Sequence, residues 1–582
     1  MQSVSNAYKS GMKSPLRNRG YIQVNFGEFN ESVQSSAEFT HPANTYIWYS
    51  DDSRVFDGGS DIVYATLENN FFKVDGSMKL LPPEYSHISP LNSGVVSEHI
   101  VDDGNVVFNI RLNQTASWYG LMIDFGENYP TSFDIVYGSN TEQIDNNTDS
   151  LYIAELPFAD VSSIQIRFWE MKESGTRARV NSVRFGVGYT FGNDDVIDSS
   201  ITRSISPITE FIPQYDFSVT LKNYDRRFDV DNPNSVVNFL SPNVPYSVLY
   251  GYELDNGKIE WVLGQQFHGA LWESNDMTAT IQCQDILRDL DGEFNGTAYD
   301  EDGVSYGDLA ELVLDAAGIT EYSIHSSMYN ITTVKPLPHA SYKELLQMIA
   351  NAACCVLTIN RAGGVVFTKI DDTITPDFRM QKLDMLTYPK AIAGDLVKTL
   401  TVEYESWFKN GTEESLIDED ISVSAGDELT FYFGEPTYGY RVSVNHGGLV
   451  ENISASGDYF ITLHFNSSFA SHVEIFGKKY SIVKRTRTKS VNSTGKSMTW
   501  SNPLINGYIN AGDIADWLKA YYLNPMEYQY STRGNPELDV GDIIYQDNEY
   551  RPSMKVLVTD YAFNFKQSFS GQVITKMVGG SN

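Results

Sequence analysis

The chain has 582 residues, 41% of them hydrophobic, which suffices for roughly three to five packed domains. Its 75 acidic residues against 42 basic ones leave a net charge of −33, which excludes nucleic-acid binding by phosphate neutralisation and favours repulsion of other polyanions. Three cysteines (Cys283 and the adjacent Cys354 and Cys355) without a CxxC exclude a disulfide framework and a zinc site, and read as small buried apolar residues.

The first twenty residues carry Lys9, Lys13, Arg17 and Arg19 and no acid. They read as a basic arm, mobile or docked on an acidic neighbour, with 1–14 flexible. No signal-peptide core follows, and no apolar run approaches the length of a membrane span. Residues 21–27 alternate as a strand, 46–50 form a second candidate, and 64–76 end in Asp75-Gly76, a turn signal. Residues 15–80 are the first part of a barrel not completed locally. Residues 81–190 read as a β-sandwich, with strand patterns at 116–125, 133–137, 164–168 and 177–186.

Residues 191–295 return to the barrel. Strands at 201–206 and 216–221 lead into a polar turn holding Asn223, Asp225, Arg226, Phe228 and Asp229, where Asn and Asp cap backbone donors, and Pro233 bars a central strand. Runs 248–254 and 259–263 flank Asn256-Gly257, a hairpin signal, and strands follow at 267–272 and 278–284. Residues 296–390 read as a small α/β domain. Leu309, Leu312, Val313 and Ala316 keep helical spacing to a stop at Gly318, 342–353 form a second helix, and 355–370 form a hairpin around Arg361-Ala362-Gly363.

Residues 391–500 are β again, read as a second barrel. An acidic stretch (Glu413, Glu414, Asp418, Glu419, Asp420) contrasts with 478–496, which carries Lys478, Lys479, Lys484, Arg485, Arg487, Lys489 and Lys496 and no acid. Opposed charge on the two either pairs subunits around a ring or marks solvated faces of separate strands. Residues 501–582 hold a helix at 511–522, a second polar turn (Gly534, Asn535, Pro536, Gly541, Asp542) and closing strands. The two glycines accept positive φ, and Pro536 fixes the entry to the next strand.

No HExxH, GxSxG or Walker loop occurs, His464 and His472 lack a third ligand, and acidic pairs such as Asp51-Asp52 read as solvated turns. The expectation is therefore no catalytic residue, no metal and no cofactor. Trp48, Trp118 and Tyr119 are candidates for stacking on sugar rings, with core packing the plainer use.

The C-terminal block (Asn502-Pro503, the helix with Trp517, then 533–542) resembles the end of bacteriophage tail-tip and baseplate hub proteins. Residues 221–233 and 64–68 resemble the first barrel of that family, so the resemblance covers most of 15–75 and 195–582. The 81–190 strand succession resembles discoidin-like jelly-roll modules, which bind carbohydrate through loops at one end. The resemblance implies a mainly β, multidomain chain with hub-type barrels, a small α/β portion and an inserted sandwich. It also implies a non-enzymatic virion protein of the distal tail, assembled in the host bacterial cytoplasm. Its partners would be itself in a homotrimeric ring continuing the tail tube, the distal tail protein, the tape-measure protein and tail-fibre or receptor-binding proteins. DNA would pass an acidic lumen without specific binding. Peptidase or lysozyme extensions found in some relatives are not expected. The alternative reading is a carbohydrate-binding receptor-recognition protein of the tail tip.

Overall fold

The computed structural model describes residues 1–40, 47–48, 55–56, 64–65, 68, 79–80, 95–102, 104–232, 245–294, 303–444 and 450–578. Strands carry most of this chain, as its many short alternating aromatic and β-branched runs dictate, and the architecture is mainly β and multidomain. The chain opens with helix α1 (Asn6–Lys13), capped by the Ser5 side chain, and passes into β1 (Gly20–Phe29).

At Asn30 the chain leaves the main sheet. The strand Ala37–Thr40 pairs with β2 (Val106–Asp124), which also pairs with β3 (Leu151–Met171) through several bulges. Val33, Phe39, Val55 and Phe56 share one buried core with β2 and β3. The apolar residues just after β1 are thus buried with β2 and β3 rather than with the main sheet. Glu68, in the stretch that resembles the hub barrel, is likewise buried against Arg179 of this unit. The return is made along β4 (Ser182–Phe191), whose first half pairs with β2 and whose second half pairs with β1. Gly27 and Gly188 face each other in that second ladder, and a Cβ on Gly188 would lie 2.0 Å from the Phe26 carbonyl oxygen.

Strands β5 (Val196–Ser204), β6 (Gln214–Lys222), β7 (Pro245–Glu253), β8 (Ile259–Ser274) and β9 (Thr278–Gln284) continue the main sheet in the antiparallel order β5-β6-β9-β8-β7-β1. Helices α2 (Tyr306–Ala316) and α3 (Tyr342–Ala352) pack their apolar faces into the same core, each capped at its N-terminus by a serine, Ser305 and Ser341.

A long two-stranded ribbon follows. Strand β10 (Val397–Phe408) runs on into β11 (Glu413–Val423); β12 (Phe469–Lys479) runs on into β13 (Ser481–Ser490). The pairs β10–β13 and β11–β12 make two successive antiparallel ladders, Thr399↔Ser490 to Phe408↔Ser481 and Glu413↔Lys478 to Val423↔Phe469, joined end to end by the short crossings of both strands. One end of the ribbon packs under helix α4 (Gly507–Tyr522), and the other belongs to a small unit with a core of its own around Phe431, Leu463 and Ile475.

The last strands, β14 (Met526–Thr532), β15 (Met554–Phe565) and β16 (Phe569–Met577), rejoin the main sheet. The join is β5 on β15, Ser199↔Phe565 to Ser204↔Asp560, between strands far apart in sequence.

Candidate functional site

The second polar turn is tied to several distant parts of the chain. Its backbone is set locally: Gly534 (φ +68) lies where a Cβ would fall 2.9 Å from the backbone of Ser570, and Gly541 takes φ +84. Asn535 accepts from the Glu537 N–H at 3.0 Å, while Tyr561 accepts from the Asn535 N–H (2.9 Å) and donates back to its carbonyl (3.0 Å). Asp542 caps the Asp539 N–H at 2.7 Å.

Three cations then converge. Arg361, 4% exposed, donates to Asp539 (2.7 Å) and to the carbonyls of Leu263 (2.8 Å), Pro536 (2.7 Å) and Leu538 (2.8 Å). Its fork therefore joins the α/β hairpin, strand β8 and the turn in one group. Arg203, also buried, lies 3.7 Å from the same Asp539 and donates to the Gly264 carbonyl. Burial pushes the Asp539 carboxyl up, but Arg361 and Arg203 outweigh it and hold it below its ordinary range. Arg17 donates to the carbonyls of Arg533 (2.8 Å) and Gly534 (2.5 Å), and Arg533 returns bonds to Ser14 (2.9 Å) and Pro15 (3.2 Å).

The basic arm is therefore docked, and its residues 6–13 are helical rather than flexible. Tyr8 and Met12 are buried against Tyr252 and Val262. Lys9 lies 3.6 Å from Glu537, Arg17 lies 3.6 Å from Asp384, and the Met1 ammonium meets Asp542. Burial still pushes the Asp542 carboxyl up to about 6, outweighing that ammonium. Lys9, Arg17, Arg203, Arg361 and the Met1 ammonium each meet a carboxylate and Arg533 is spent on carbonyls, so the arrangement fastens the N-terminal arm to the 533–542 turn rather than presenting a reactive group.

The first turn is built differently. Asn223, fully buried, accepts from the Phe228 N–H (3.1 Å) and donates to the Asn275 carbonyl (2.6 Å), and Phe228 fills the core beside Phe191. Asp225, Arg226 and Asp229 stay near the surface in short-range pairs, Arg226 with Asp229 at 3.3 Å and Arg227 with Asp225 at 2.5 Å. Pro233 lies outside the described residues.

The candidate sugar-stacking residues are not brought together. Trp118 is buried, stacked on Phe158 at 4.9 Å with Phe185 edge-on at 5.3 Å, so its faces are closed to a ligand. Tyr119 points the other way along β2, 46% exposed, with its hydroxyl donating to the Glu155 carbonyl. Trp48 lies in a two-residue strand paired with Val96, and its side chain is outside the described residues.

Cys283 and Cys355 are buried and Cys354 half-buried, all free, and burial raises all three thiols, Cys354 to about 12 and Cys355 to about 11. His464 faces Glu428, while His472 sits between Asp418 and Asp420. Among the described residues no group of three His, Cys, Asp or Glu side chains is placed to hold a metal ion, and no helix is long and apolar enough to cross a membrane. Arg361, Arg203 and Tyr561 escape the sequence reading: a lone arginine in a hairpin turn carries no signal of a partner nearly two hundred residues away.

No family model and no curated protein matches the sequence. Among solved structures, the 43 kDa tail protein of prophage MuSo2 from Shewanella oneidensis is similar over 76% of this chain and 97% of that one, at 11% identity and a TM-score of 0.37. A tail protein from Neisseria meningitidis matches 67% of this chain and 94% of its own at 9% identity and TM-score 0.39. A prophage tail protein from Listeria monocytogenes matches 67% and 91% at 10% identity and TM-score 0.35.

Proposed function

We propose that this chain is a non-enzymatic structural hub at the distal end of a bacteriophage tail, where a ring of copies continues the tail tube. The observation that supports it most is the meeting of the resembling segments. The turn after β6 and the turn before the strand Ile543–Gln546, about three hundred residues apart, flank strands of one continuous sheet through the pairing of Ile543–Gln546 with β15 and of β15 with β5. The sandwich hangs outside that sheet on β1 and β4. In this reading the ring is a homotrimer, its neighbours are the distal tail protein and the tape-measure end, and an acidic lumen lets DNA pass unbound. The sandwich serves attachment, with Tyr119 rather than Trp118 as its exposed aromatic.

Immunogold labelling of particles from a phage lysate, with antibody to this chain, tests the reading. Gold confined to the tail tip is the expected result. Gold on peripheral fibres would overturn the hub in favour of a receptor-binding role, and absence of the chain from denaturing blots of purified particles would remove both.

A further inference from the structure

The ribbon of β10–β13 and β11–β12 changes its free side along its length. At the α4 end β10 is inner, held on its far side by the strand Lys496–Ser501, so β13 is the edge. At the other end β12 is inner, held by the strand Thr437–Val444, so β11 is the edge. The two free edges thus face opposite sides of one ribbon, and they differ in charge. Edge β13 carries Lys484, Arg485, Arg487 and Lys489 and no acid, whereas β11 carries Glu413, Glu414, Asp418, Glu419 and Asp420 and no base.

Both edges are open. Arg487 and Lys489 turn onto α4, over the Tyr508 ring at 3.9 Å and onto Asp516. The preceding six residues, Ser481 to Thr486, are all exposed, including Ile482 and Val483. A straight strand edge with aliphatic side chains is a template for pairing with another chain. On β11, Asp418, Glu419 and Asp420 are exposed, with His472 lying against the first and last. Within one chain the two patches cannot meet, since about 40 Å of ribbon separates Glu419 from Arg485 at the ordinary rise of a strand.

We propose that a second copy of this chain covers each edge: the basic edge Ser481–Thr486 of one copy adds onto the acidic edge Asp418–Asp420 of the next. The proposal deepens the ring-forming hub reading and rests on it. Because the edges face opposite ways, the contact is head-to-tail and repeats around a ring, with backbone hydrogen bonds supplying adhesion and opposed charge supplying direction.

The test is sedimentation velocity of the purified full chain at low and high salt, with three variants changed only at exposed positions. Wild type is expected to associate, more weakly in high salt. Lys484→Glu with Arg485→Glu, and separately Glu419→Lys with Asp420→Lys, are each expected to weaken association at least tenfold with unchanged circular dichroism. All four changes in one chain are expected to restore it. A Glu419→Cys, Arg485→Cys chain is expected to cross-link between copies under oxidation. A monomeric wild type, reversals without effect, or no restoration in the combined variant would each overturn the contact. Any of these with gold still at the tail tip removes the strand contact and leaves the hub; gold elsewhere with the contact intact removes the hub alone.

Discussion

The two polar turns look alike in sequence and differ in what they hold. The 533–542 turn is gripped by side chains from the N-terminal arm, the main sheet and the α/β hairpin, with Arg361 as the common donor. The turn at 223–232 bonds mostly within itself and to the neighbouring turn at Asn275, and leaves Tyr224 and Val230 exposed. A polar turn between strands therefore reports where a strand begins, not how much of the fold depends on it. That depends on whether distant cations bury themselves on its carbonyls and carboxylates.

This difference can be broken most sharply at Arg361. Arg361→Ala leaves the largely enclosed Asp539 with the longer Arg203 contact and the Val540 N–H, and removes the donor to three carbonyls, so a loss of about 3–5 kcal/mol is expected in chemical denaturation. Arg361→Lys should recover only part of it, because an ammonium cannot reproduce the fork. The matching change in the first turn, Asn223→Ala, removes two buried bonds, and about 2 kcal/mol is expected. Equal losses at the two positions would remove the distinction.

A smaller effect at the second turn depends on pH. Burial raises the Asp542 carboxyl to about 6, so the folded chain holds that proton more tightly than the unfolded one. The stability it contributes is complete below the ordinary carboxylate range and is lost as pH rises through about 6. Asp542→Asn is therefore expected to match wild type near pH 4 and to exceed it by about 1–2 kcal/mol at pH 7.5. Thermal melts across that range check the sign.

What the sequence made legible was local. The strand expected at 278–284 is found at Thr278–Gln284, the helices at 309–316 and 342–353 are α2 and α3, and Gly257 forms its hairpin turn at φ +81. Each rests on spacing within a dozen residues. The pairing of β5 with β15, the grip of Arg361 and the exit at Asn30 rest on contacts between distant segments, which periodicity does not encode. Trp118 shows the limit within one strand: beyond it β2 is apolar on both faces, with Leu121, Met122 and Ile123 all buried, so alternation could not tell which aromatic turns inward.

The weakest contrast concerns Arg226. It holds φ +56, the left-handed region, where a side chain costs the backbone about 1 kcal/mol relative to glycine. Its compensation is an ion pair to Asp229 with the arginine side chain 61% exposed, and pairs so open to water are worth little. Arg226→Gly removes the strain and the pair together, and makes the unfolded chain more flexible, which opposes the gain. The net expected change is a stabilisation of a few tenths of a kcal/mol, read as a small rise in melting temperature. The same replacement at Arg533, whose guanidinium holds the carbonyls of Ser14 and Pro15, should lower it. The opposite signs would follow from one cause: in the first turn the backbone sets the arginine's conformation, whereas in the second the arginine fixes the backbone of another segment.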